Sequence, residues 1–419
     1  MGRGLAASAH GPYPSGNASA QPVLDFAITS PEQGAVDQTF RLIVRPDLWS
    51  SRTRLRFTNV FGTQPLTLDD VFVGLQGVAG NIVSGTNRRV TFASGRERLT
   101  LPAGQSAFSD PVMLPFVQRI DSSMRAGRKL AISFHTVGST GPLTWHAKAL
   151  QTSYITAPRS GSHGAEEHDG AFASTTTSWF FLDAIDMLAP QDTAAVACFG
   201  DSITEGTAST LNGDDRWPDV LSRRLHAAYG ERVSVINAGI GGNRITGPAD
   251  YSPAAPFAGG PSALDRLDRD LLGLSGLAAV IWLEGINDLS AGTSPEAIVA
   301  GLKDGVTRLR AHDRKLVIVG ATITPSLGAT SPSGTVENDA RRQAVNTFIR
   351  SGGLFDAVAD FDAATRDPET GGLRAALQPN STTGGAGDRL HPNRAGYQAM
   401  ANAIDITLLS SSKVGAPGR

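Results

Sequence analysis

The stretch Ala194-Ala195-Val196-Ala197-Cys198-Phe199-Gly200-Asp201-Ser202-Ile203-Thr204-Glu205-Gly206 runs from an unbroken apolar segment into a turn of small and polar residues. An apolar run this short, closed by glycine, reads as a strand buried on both faces. Beyond it Trp217, Val220, Leu221 and Leu225 recur at helical spacing until Gly230 stops the helix. The same rhythm repeats downstream. Apolar runs at 233–236, 279–283, 316–319 and 357–361 alternate with helical stretches at 263–272, at 295–309 behind Thr293 and Ser294, and at 337–349. A last helix, 394–408, starts behind Asn393. Doubly buried strands alternating with helices predict an α/β domain with a doubly wound parallel sheet over residues 189–410.

Upstream the pattern changes. Residues 40–44, 55–59, 71–75 and 130–134 are short strand-like runs, with Gly62, Pro65, Gly77, Gly80 and Gly85 between them and no convincing long helix. They predict an antiparallel β-sandwich or jelly-roll domain over 21–188. Residues 1–20 and 411–419 read as flexible tails.

Composition narrows the function. Lys+Arg 37 against Asp+Glu 39 leaves a formal charge of −2, with no excess to steer the chain toward nucleic acid or an anionic membrane. No apolar run approaches the roughly 18 residues of a membrane span. The first residues lack the apolar stretch of a signal peptide. The single cysteine, Cys198, excludes an intramolecular disulfide and a multi-cysteine metal site, and its place inside an apolar strand predicts a buried, inert thiol.

A doubly wound sheet places its chemistry outside the carboxyl ends of its strands. The first strand ends at Ser202, which reads either as a helix cap or as a hydroxyl exposed near backbone N–H groups. The second runs into Asn237-Ala238-Gly239-Ile240-Gly241-Gly242-Asn243-Arg244, where paired glycines let the main chain approach a reacting group and aim an N–H at it. The spacing fails as a dinucleotide fingerprint, because Arg244 stands where the last glycine belongs. The third strand leads to Glu284-Gly285-Ile286-Asn287-Asp288, whose Asn287 amide is either turn chemistry or an oxyanion donor. Near the end, Asp388 stands three residues before His391. A carboxylate so spaced can fold back onto one imidazole nitrogen and leave the other to accept a serine proton. The pair also reads as a solvated carboxylate and a capping histidine. Together the segments supply nucleophile, two kinds of oxyanion donor, base and orienter, the set that acyl transfer needs.

These residues resemble a family. Gly200-Asp201-Ser202, Gly241-Gly242-Asn243, Gly285-Ile286-Asn287-Asp288 and Asp388-Arg389-Leu390-His391-Pro392 look like the four signature blocks of the SGNH, or GDSL-type, hydrolases, with isoleucine in place of leucine after the serine. The resemblance covers residues 194–409 and implies a flavodoxin-like fold. It further implies Ser202 as nucleophile, His391 as general base, Asp388 as its orienter, and an oxyanion hole of the Ser202 and Gly242 amides with the Asn287 side chain. No cofactor or metal is implied. Arg54-Leu55-Arg56-Phe57-Thr58-Asn59-Val60-Phe61-Gly62 with Ser109-Asp110-Pro111-Val112 is similar to the β domain preceding the catalytic domain in some bacterial two-domain members, among them proteins grouped with acetylxylan esterases. The resemblance implies a secreted or periplasmic protein.

The expectation is a serine carboxyl-ester hydrolase working through an acyl-enzyme on short acyl esters, acetyl esters of carbohydrate among them. A small molecule or a polysaccharide would be its ester partner. The alternatives are a lipid or lysophospholipid esterase, and a glycan-binding protein with an inactive hydrolase domain. The Gly/Pro-rich loop 242–262 reads either as a wall of the substrate pocket, with Arg244 and Tyr251 as candidate contacts, or as a mobile surface excursion, and 370–387 either as the facing rim or as another such excursion. Asp201 is expected to hold the turn beside the nucleophile. Glu284 and Asp288 are expected to be structural, because a carboxylate beside an oxyanion would oppose its charge. His135, His146, His163, His168, His226 and His312 show no metal-ligand spacing.

Overall fold

A computed structural model describes residues 2–9, 11, 27–28, 32–190, 192–252, 257–380 and 387–410. The chain divides into two compact units: Met1–Gln191 with Ser252–Ala258, and Asp192–Tyr251 with Gly259–Arg419.

The second unit is built on a five-stranded sheet whose paired strands all run parallel. In chain order its strands are Ala194–Gly200, Val233–Gly239, Leu277–Leu283, Val317–Ala321 and Ala357–Ala359. Their spatial order is second, first, third, fourth, fifth. That is the flavodoxin-like order, in which the sequence of strands reverses between first and third and opens a crevice at their carboxyl ends. The first strand lies between the second and the third, and all of its residues are buried.

The flanking helices begin where capping side chains satisfy their first amides. Ser294 accepts from Ala297 N at the head of Pro295–His312, and Thr335 from Asn338 N at the head of Val336–Ser351. Two elements end earlier than their apolar periodicity implies. The stretch expected as one helix over 263–272 is a short α-helix, Ala263–Leu267, continued by a π turn, Asp268–Leu272. The final helix spans Arg394–Asn402, after which Asp405 caps a separate 3₁₀ turn, Ile406–Leu409, by accepting from Thr407 N. The fifth strand is likewise shorter than 357–361, since Asp360 caps a new helix, Phe361–Thr365.

The first unit is antiparallel. A seven-stranded sheet centred on Val36–Val44, Leu130–Ser139 and Leu66–Leu75 shares one core with a five-stranded sheet that contains Arg52–Thr58 and Leu182–Met187. Aromatic rings from the two sheets meet there: Phe57 lies edge-on to Phe134 with centroids 5.3 Å apart, and Phe134 stacks on Phe40 at 5.3 Å. Such pairs each add about 0.5–1.5 kcal/mol beyond the area they bury.

The expectation of a tail over 1–20 needs correction. Gly2–Ala6 is a strand that pairs antiparallel with Leu182–Met187, Leu5 facing Ile185. An edge strand is held by main-chain hydrogen bonds, which a Gly/Ala-rich sequence makes without any apolar alternation to advertise them. Residues 12–26 and 411–419 lie outside the described residues.

Candidate active site

The turn after the first strand is shaped by steric exclusion. A Cβ at Gly200 would lie 2.2 Å from the Leu283 carbonyl oxygen, and one at Gly239 would lie 2.2 Å from Glu205 N. Only glycine lets these strand ends close on each other and on the helical turn Ser202–Glu205. Asp201 is the cap of that turn, its carboxylate accepting from Ile203 N at 2.9 Å. Ser202 is therefore the first helical residue and not the cap, and its hydroxyl is released for other work.

That hydroxyl meets His391. Ser202 Oγ lies 2.8 Å from His391 Nε2, across 189 positions of sequence. On the far side of the ring, His391 Nδ1 lies 2.5 Å from Asp388 Oδ2, while Asp388 Oδ1 accepts from the backbone N–H groups of Leu390 and His391 at 2.9 Å each. Arg389, at φ +57°, makes the left-handed turn that folds Asp388 beneath the imidazole. Burial works to raise the Asp388 carboxyl, but the His391 side chain and these two amides outweigh it and hold the group well below the usual carboxylate range. An ionised Asp388 fixes the proton on Nδ1, so Nε2 presents its lone pair to the serine. Asn393, one position past Pro392, caps the last helix by accepting from Gly396 N at 3.0 Å, which relieves His391 of any capping duty.

The second and third segments meet beside each other. Asn287 sits in the short helix Ile286–Ser290, entered through Gly285 at φ +122°. Its Nδ2 donates to the Asn243 carbonyl at 2.9 Å, one residue past Gly242, which adopts φ +82°. Asp288 accepts from Ile245 N at 2.9 Å and from Thr246 N at 3.4 Å, so its carboxylate anchors the chain just beyond the glycines. Glu284 accepts from Trp282 Nε1 at 2.8 Å. Both carboxylates are spent on structure.

Chemically, this is an alcohol whose proton has a poised acceptor, on a helical turn whose strand end, at the Gly200 carbonyl, accepts from Ile240 N at 3.0 Å in the segment leading to Gly242. Residues 198–399 match the profile of the GDSL-like lipase/acylhydrolase family. That match takes in most of the second unit. Among solved structures, this chain is similar to a carbohydrate acetylesterase family member from Sinorhizobium meliloti, at 17% identity over 54% of this chain and 100% of that one, with a TM-score of 0.40. It is also similar to a putative arylesterase from Agrobacterium tumefaciens str. C58, at 19% identity over 52% and 99% of the two chains, TM-score 0.38. The aryl esterase of M. Smegmatis stands at 18% identity over 50% and 96%, TM-score 0.37. Curated proteins give no match.

The two expected pocket residues, Arg244 and Tyr251, lie within the matched segment. The positive charge of Arg244 acts on Asp288, and that of Arg269 on the Tyr251 phenol, which burial pushes up to about 12. Residues 253–256 of the long loop and 381–386 of the facing segment lie outside the described residues. Cys198 is buried within its strand. His135 is bonded at Nδ1 to Asp69 at 2.8 Å and at Nε2 to Asp37 at 3.0 Å. Among the described residues, no group of three or more His, Cys, Asp and Glu side chains is arranged to hold a metal ion.

Sequence reasoning passed over Arg266. It lies in a run of alternating charges, Asp265-Arg266-Leu267-Asp268-Arg269-Asp270, that looks like a solvated helix face with an ordinary i,i+4 pair. In the fold it is 1% exposed, with its guanidinium over the Phe199 ring at 4.0 Å. The interruption of the helix by a π turn after Leu267 was the missing signal.

Proposed function

We propose that the protein is a serine carboxyl-ester hydrolase of short acyl esters, acetyl esters of carbohydrate among them. The single observation that carries the chemistry is the line Asp388–His391–Ser202, with 2.5 and 2.8 Å between successive polar atoms. His391 Nε2 takes the Ser202 proton as Oγ attacks the ester carbonyl, and the carbonyl π pair moves onto oxygen. The Ser202 and Gly242 amides and the Asn287 side chain donate to that oxyanion, Asn287 with the amide hydrogen its bond to Asn243 leaves over. Collapse expels the alcohol, which receives its proton from the imidazolium and leaves an acyl-enzyme. Water, deprotonated by His391, then attacks the acyl carbon and the second collapse returns Ser202.

Arg244 and Tyr251 are assigned to the walls of the acyl or alcohol pocket. The preference for short acyl groups follows the resemblance of residues 194–409 to the SGNH hydrolases and of the β domain to that of some two-domain members, among them proteins grouped with acetylxylan esterases. The test is an ester panel on purified protein: p-nitrophenyl acetate, butyrate and dodecanoate, acetylated xylan and a lysophospholipid. Turnover falling steeply from acetate to dodecanoate, and abolished in Ser202→Ala, supports the reading. Wild-type rates in Ser202→Ala overturn it, and a dodecanoate or lysophospholipid preference replaces the short-acyl assignment with a lipid esterase.

A further inference from the structure

Arg266 is the most heavily engaged side chain beneath the site, and its partners are the very segments that carry the reacting groups. Nη2 donates to the Gly200 carbonyl at 2.8 Å, two residues before Ser202. Nη1 donates to the Ala238 carbonyl at 2.8 Å, at the end of the second strand, and to Asp270 Oδ2 at 3.0 Å. Nε donates to Asn243 Oδ1 at 2.7 Å. The other end of the Asn243 side chain is also committed, its Nδ2 donating to the Gly259 and Pro261 carbonyls at 2.6 and 2.7 Å. Asn243 is thus clamped from both sides.

What the clamp holds matters to the reaction. The Asn243 carbonyl is the acceptor that orients the Asn287 amide, and its own peptide follows Gly242, the other proposed oxyanion donor. An amide nitrogen carries two hydrogens in one plane, so fixing the first on Asn243 fixes the direction of the second. The guanidinium is planar and rigid, and its fork sets the mutual spacing of the acceptors it joins. Lysine would preserve the charge and lose that spacing. Burying a cation here also carries a desolvation cost, offset by the ionised Asp270 at 3.0 Å. A hydrophobic filler of similar size would avoid that cost, so retention of a buried arginine is better explained by geometry than by stability.

We infer that Arg266 is the positioning residue of the oxyanion hole, acting through Asn243 to aim the Asn287 amide at the oxyanion. The inference rests on the serine-hydrolase reading above and adds to it a residue that touches no reacting atom. The opposing view is that Arg266 merely neutralises buried carboxylates and holds the fold.

A double-mutant cycle separates the two, with p-nitrophenyl acetate as substrate. Arg266→Lys is expected to lower kcat roughly 10- to 100-fold, KM staying within about threefold, because misdirected donors weaken transition-state binding alone. In an Asn287→Ala background the same substitution should cost under about threefold, since the group it aims is gone. Full multiplication of the two losses, or an unchanged kcat in a folded Arg266→Lys, overturns the inference. If near-ultraviolet circular dichroism shows Arg266→Lys unfolded, Asn243→Ala takes its place in the cycle under the same criteria, because it cuts the link and leaves the guanidinium and carboxylates in place. Ser202→Ala is measured alongside. If it is as active as the wild type, the functional reading falls and this inference with it; if it is inactive while the cycle multiplies, this inference falls alone.

Discussion

The Asp388 carboxylate holds His391 at two points, taking the ring Nδ1 at 2.5 Å with one oxygen and the main-chain N–H at 2.9 Å with the other. Ring and backbone are thereby locked to a single acceptor three positions upstream, and the imidazole can neither flip nor change tautomer without breaking a charged hydrogen bond. The serine-facing nitrogen owes its lone pair to this arrangement.

Asp388→Asn keeps the shape and inverts the chemistry, since an amide can donate to Nδ1 and push the proton to Nε2. The expected outcome is a fall in kcat on p-nitrophenyl acetate of about 10³- to 10⁴-fold with Tm little changed. Steady-state kinetics decide it; a variant within tenfold of wild type removes Asp388 from the mechanism.

Asn287→Ala deletes a donor and leaves the alcohol and base intact. A loss in kcat of about 10²- to 10³-fold at nearly constant KM is expected. A change confined to KM would mean that the amide binds the ground state and the transition state equally.

Gly242→Ala places a side chain on a residue at φ +82°, while the new Cβ would stand 3.4 Å from Gly259 Cα, ordinary contact distance. The cost is backbone strain of about 1–2 kcal/mol, with no collision to add to it. The chain relieves this strain by turning the Gly242 peptide, so activity should drop by more than the small fall in Tm explains. Calorimetry beside kinetics reads both, and full activity would show that the Gly242 amide is not aimed at the oxyanion.

Two buried carboxyls give stability a pH dependence. Burial raises Glu284 to about 8, against the attraction of Arg266 and with Asp201 and Asp288 adding repulsion, and raises Asp201 to about 7. The folded protein then retains protons that the unfolded chain releases near pH 4 to 4.5. Their contribution to stability is present at low pH and declines as pH rises from about 4.5 to 8. Scanning calorimetry should find Tm decreasing across that interval, and a shallower decrease in Glu284→Gln, whose amide has no proton to lose. Equal slopes for the two proteins would locate the effect elsewhere.

Much of this was legible because it is local. Five apolar runs punctuated by glycine, helix starts marked by Ser294 and Asn393, and a serine, an asparagine and an Asp-x-x-His at the ends of elements are each written within a few residues. Chain order and alternation then imply a parallel sheet, because crossover connections leave few other ways to bury such strands. Length and local caps were less legible: Asp360 and Asp405 ended elements that apolar periodicity alone would have continued.

By itself, then, the order of residues determined which side chains were available and at which strand ends they would stand. Tertiary structure decided what each one does. Ser202 serves as a hydroxyl facing His391 because Asp201 took the cap, and Arg266 is an internal tie because its helix turned a charged run inward. Both outcomes depend on contacts between segments far apart in the chain, whose energies arise only once the sheet has gathered them, and no local pattern of residues records that.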